Sequence, residues 1–65
     1  MTFKQLFDTL SCDTRIAIDY KMERYTYKVA DLGEDFLFYE QIKDCIVDEV
    51  WYSKIYGAIV IELES

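Results

Sequence analysis

The sequence predicts an α+β domain in which a four-stranded antiparallel sheet, built in the order α-β-β-α-β-β, carries a helix packed on one face. Three observations predict it. The opening segment repeats apolar residues at helical spacing, four later runs alternate apolar with polar residues, and turn-forming residues separate the runs.

Phe3, Leu6, Phe7 and Leu10 recur at i, i+3, i+4 and i+7, which gathers them on one face of a helix. Thr2 and Gln5 stand at the capping-box spacing, where each side chain can accept the other's backbone N–H. The helix is expected to end near Ser11 to Asp13, whose side chains bond their own backbone in preference to continuing the helix. From Thr14 the period becomes two. Ile16, Ile18 and Tyr20 alternate with Arg15, Ala17 and Asp19, and Tyr25, Tyr27 and Val29 alternate with Arg24, Thr26 and Lys28. Lys21, Met22 and Glu23 connect the two as a hairpin, although the turn contains neither Gly nor Asn.

Gly33 breaks the chain before FLFYEQI. Phe36, Phe38 and Ile42 would alternate in a strand, whereas Phe36, Leu37, Tyr39 and Lys43 fit a helical turn; helix is preferred, because acids precede the run and Glu40 and Gln41 are good helix formers. Cys45 to Tyr52 alternates again, with Ile46, Val50 and Tyr52 on one side and Val47, Glu49 and Trp51 on the other. Ser53 to Gly57 turns the chain. Ala58 to Glu64 then places Ile59, Ile61 and Leu63 toward the core and Val60, Glu62 and Glu64 outside.

Sixty-five residues suffice for one domain, residues 1–65, with a thin core. A 52% hydrophobic content, including six Tyr, four Phe and one Trp, argues against disorder. The net charge of −6 is uneven: residues 1–30 hold five basic and four acidic side chains, residues 31–65 two and nine. Phosphate backbones and anionic membranes are bound by surplus Lys and Arg, so neither is an expected partner, and six tyrosines do not alter this without a positive groove. A basic protein surface fits the acidity instead. With no histidine and no CxxC spacing, zinc and haem lack their usual ligands, and no cofactor is expected. Cys12 and Cys45 read as two reduced thiols rather than a disulfide, and the chain shows neither a signal-peptide pattern nor a membrane-spanning run.

Thirteen acidic residues make carboxylate pairs inevitable. Asp48 and Glu49 point to opposite faces of a strand, and Glu62 with Glu64 share a face without an evident cleft. The segment Asp31 to Asp35 lacks EF-hand spacing, and Ser11, Cys12, Cys45 and Ser53 have no histidine to activate them. Catalysis is therefore not expected. The informative feature is the outer sheet face, where Ala17, Val47, Trp51 and Val60 point away from the core among Arg15, Thr26, Lys28, Glu49, Glu62 and Glu64, as an apolar patch rimmed by charge. The alternatives are that the second helix covers this face or that a one-residue slip turns Trp51 inward. Partner-binding candidates are Asp48, Glu49, Trp51, Glu62 and Glu64, with Trp51 the anchor.

The run LFDTLSCDTRIAIDY from Leu6 and the closing AIVIELE from Ala58 resemble small proteins encoded by phages and prophages of Firmicutes. Leu10, Ser11, Asp13, Thr14, Ile16 and Ile18 carry the resemblance; the glycine expected in the second strand is absent, which bears on that hairpin's geometry. The resemblance brings no activity or site residue with it. It implies a phage context, in which tiny acidic proteins inhibit host defence, anti-CRISPR proteins among them. The expectation is a non-enzymatic inhibitor in the host bacterial cytoplasm, docked on a host defence or nucleic-acid-binding protein with a basic surface, with the outer sheet face also open to a homodimer. Alternatives are a homo-oligomer sequestering a small nucleotide through Arg15, Arg24 and Lys28, or a structural or assembly module of the phage.

Overall fold

The computed structural model describes residues 1–64, as an α+β fold with a four-stranded sheet and three short helices on one side. Helix α1 spans Phe3–Phe7, strand β1 Arg15–Tyr20 and β2 Glu23–Lys28; helices α2 (Val29–Glu34) and α3 (Phe36–Ile42) lead to β3 (Val47–Ser53) and β4 (Ala58–Leu63). Both expected hairpins form and residues 36–42 are helical, but Val29, expected in the second strand, opens an additional helix, so the order is α-β-β-α-α-β-β rather than α-β-β-α-β-β.

The sheet is mixed rather than antiparallel, and its order is β2-β1-β4-β3. β1 and β4 lie parallel at its centre, Ile16 beside Ile59 and Ile18 beside Ile61. The cause is the connection between the hairpins. A tight turn would send β3 back antiparallel to β2, but α2 and α3 intervene and β3 runs in the same direction as β2. The chain thus returns to the starting edge of β2, and β4 leaves running with β1.

The central strands are also the apolar ones. Ile16, Ala17 and Ile18 in β1, and Ala58, Val60 and Ile61 in β4, are buried, whereas β2 and β3 are mostly exposed. On the helical side Ile16, Ile18, Ile61 and Leu63 pack with Phe3, Val29, Leu32 and Ile42. Burial of each isoleucine contributes about 2 kcal/mol.

Helix α1 has the expected capping box: the Gln5 N–H donates to Thr2 Oγ1 at 3.3 Å and the Thr2 N–H to Gln5 Oε1 at 2.9 Å. It ends at Phe7, earlier than the apolar spacing implies. Thr9 donates its hydroxyl to the Leu6 carbonyl at 2.6 Å, one of the local bonds that compete with helix continuation. Leu6, Phe7 and Leu10 still pack on the core. Asp35 joins the later helices to the sheet. Its Oδ1 accepts the Phe38 N–H and caps α3, while Oδ2 accepts the Tyr27 hydroxyl at 2.7 Å. Phe38 then lies over β1 and β2, with ring centres 4.6 Å from Tyr25, 5.7 Å from Tyr27 and 6.5 Å from Tyr20.

Candidate partner-binding face

Register alone arranges the face opposite the helices into rows. One row crosses all four strands as Arg24, Asp19, Glu62 and Glu49; the next reads Thr26, Ala17, Val60 and Trp51. At the far end Lys28 stands beside Arg15, and Ser53 beside Ala58. The face is therefore polarised, acidic at one end and basic at the other.

The apolar patch expected on this face is not open. Ala17 and Val60 do point away from the helices, yet both are fully buried. Trp51 opposes Val60 and leans inward, its indole N–H donating to Glu62 Oε2 at 2.8 Å. Arg24 reaches from the other edge, its guanidinium 5.9 Å from the Trp51 ring centre and 5.1 Å from that of Tyr56 in the β3–β4 turn. These three side chains cluster on the face that carries Ala17 and Val60, and Trp51 stays 41% exposed. Val47 belongs to the other face. The extra residue Asp48 forms a bulge between Val47 opposite Leu63 and Glu49 opposite Glu62, and this inversion turns Val47 onto the core.

Arg24 is fixed by Asp19. Its Nε and Nη2 donate to Asp19 Oδ1 and Oδ2 at 2.6 and 2.9 Å. These hydrogen bonds lower the Asp19 pKa below its ordinary value and raise that of Arg24. The next two acids have no such match. Among the described residues Glu62 holds only the neutral Trp51 N–H, and Glu49 stands directly opposite Glu62. Asp48 and Glu64 are exposed nearby, with the Glu64 N–H donating to the Ile46 carbonyl. The candidates Asp48, Glu49, Trp51, Glu62 and Glu64 are thus brought together at one end of the β3–β4 hairpin. Asp19, Arg24 and Tyr56 complete the face; Asp19 and Tyr56 are not among the residues the sequence singles out, and Arg24 is singled out there for a nucleotide rather than for a protein partner. A two-residue turn pairing Tyr20 with Glu23 puts Asp19 opposite Arg24, so that pair could have been read from the hairpin; Tyr56 could not.

Arg15, Arg24 and Lys28 do not converge. Arg15 and Lys28 border a groove of about 280 Å³ with Thr26, Tyr27 and Asp31, while Arg24 lines another of about 340 Å³ with Asp19, Met22, Glu23 and Tyr56. Among the described residues no group of three or more His, Cys, Asp or Glu could hold a metal ion, and Cys12 and Cys45 are free thiols. No described helix is long and apolar enough to cross a membrane. No family model matches the chain, and neither does any curated protein or solved structure.

Proposed function

We propose that the chain is a non-enzymatic binding protein whose acidic face at β3 and β4 occupies a basic surface of a protein partner, as a phage inhibitor of a host defence or nucleic-acid-binding protein would. The supporting observation is the row Asp19, Glu62 and Glu49, three acids on adjacent strands with one arginine among them. Like charges directly opposite in a sheet are destabilising. Glu49 has no compensating contact of its own among the described residues. A cationic partner would supply that compensation, with Trp51 and Tyr56 beside it as aromatic anchors.

Glu49→Lys separates this role from a structural one, because the substitution relieves repulsion in the free chain while removing charge from the face. The variant should melt at a higher temperature yet fail to retain a partner that the unaltered chain captures from bacterial lysate, identified by mass spectrometry. Capture should also weaken steeply with salt. Equal retention by the variant, or affinity indifferent to salt, refutes the reading. The nucleotide alternative rests on Arg15 and Lys28 alone; calorimetry against a nucleotide panel, with no heat for any member, removes it.

A further inference from the structure

The two edges of the sheet are protected unequally. The outer strand β2 carries Glu23, Arg24 and Lys28, charges that discourage another strand from pairing there. β3 is shielded only at its start. There the Val47 N–H donates to the Met1 carbonyl at 2.8 Å, Thr2 bridges Ile46, and Asp48 bulges. Beyond the bulge, Glu49 to Ser53 forms an open edge with Val50, Trp51 and Tyr52 at its middle, all three exposed and Tyr52 by 62%.

We propose that β3 pairs antiparallel with β3 of a second copy, about a two-fold axis at Trp51, to make a continuous eight-stranded sheet. The register follows from the bulge, since Glu49 to Ser53 is the regular open stretch and its centre is Trp51. Antiparallel pairing about that point sets Val50 against Tyr52 of the second copy, an apolar–aromatic pair, and Glu49 against the uncharged Ser53. Just outside this ladder it brings the bulged Asp48 toward Lys54, the first residue of the β3–β4 turn and a cation with no ion pair among the described residues. No like charges oppose each other in this register. A shift by one residue at each end would lose the Asp48–Lys54 match. The contact uses the strand edge, including Trp51 and Asp48, and leaves the row Asp19, Glu62 and Glu49 on its own face of the sheet; self-association and partner capture are read by separate measurements.

Sedimentation equilibrium of the isolated full chain tests it, against a monomer mass of 7.8 kDa. The expected result is a reversible dimer. The two-fold axis duplicates every pair, so Lys54→Glu should raise the dissociation constant roughly tenfold, Asp48→Lys should do likewise, and Asp48→Lys with Lys54→Glu together should restore it. Both changes lie at exposed positions, and circular dichroism checks that each of the three variants is folded. A chain that stays monomeric up to about 1 mM overturns the proposal. So does a dimer indifferent to the single substitutions, or one that the double substitution fails to restore.

Discussion

The turn between β1 and β2 offers the most direct test of the structure. Tyr20 pairs with Glu23, leaving Lys21 and Met22 as a two-residue loop with φ of 51° and 67°. Both angles are left-handed, as a type I′ hairpin turn demands, and an L-residue with a side chain is disfavoured there by roughly 1–2 kcal/mol. Asparagine tolerates the conformation and glycine adopts it freely, though glycine gives back about 0.5–1 kcal/mol through the flexibility it adds to the unfolded chain. Met22 is fully exposed, so its replacement sacrifices no core packing. The double change Lys21→Asn and Met22→Gly should therefore stabilise the fold by about 1–2 kcal/mol, which for a domain of this size raises the melting temperature by about 4–8 °C per kcal/mol. Urea unfolding followed by tryptophan fluorescence should show a higher midpoint at unchanged slope. An unchanged or lowered midpoint would mean that the turn holds no such strain, and the two-residue register of the hairpin would be wrong with it.

Other outcomes follow from single contacts. Trp51→Ala removes the ring opposite Val60 and should cost about 2 kcal/mol, whereas Trp51→Phe, which keeps a ring there but loses the bond to Glu62, should cost about 1; equal midpoints for both would contradict the packing role. Asp19, its pKa lowered by the Arg24 hydrogen bonds, contributes stability that is complete above about pH 4 and disappears as pH falls through its lower folded value. Asp19→Asn should accordingly flatten the acid limb of the stability curve, and a limb of unchanged slope argues against the pairing. Tyr27 is pushed up to about 12, by burial first and the Asp35 hydrogen bond second. Its contribution is full below about pH 10, where the unfolded tyrosine is still protonated, and is lost as pH rises toward the folded value. Asp35→Ala should lower that titration, read by tyrosinate absorbance, and destabilise α3 by about 1 kcal/mol through the lost cap; a titration that stays put refutes the contact.

Local structure was legible because local residues decide it. Phe3, Leu6, Phe7 and Leu10 announce α1, Thr2 and Gln5 its cap, and the alternation around Ile16, Tyr27, Tyr52 and Ile61 both hairpins. How the hairpins dock was not legible, since antiparallel and parallel docking bury nearly the same side chains, and the choice depends on how far α2 and α3 carry the chain. Burial on both faces does leave a mark in the sequence. Ile16 to Ile18 and Ala58 to Ile61 are uninterrupted apolar runs, the mark of central strands buried on both faces, so Ala17 and Val60 belonged under cover. Alternation puts Glu49 and Glu62 on the face opposite the helices, as the structure has them, but the bulge at Asp48 turns Val47 to the core and no alternation rule reveals a bulge. The cluster of Arg24, Trp51 and Tyr56 joins segments that only the folded sheet brings near.

Placing β1 beside β4 also governs how this chain can reach its native state. Each hairpin closes quickly by itself, but a lone two-stranded ribbon is barely stable in water, and the seam that joins Ile16 to Ile59 forms only after a loop containing nearly everything else has closed. Neither half is a free-standing folding unit, so a protease nick between α3 and β3 should release two unstructured pieces rather than one intact subdomain.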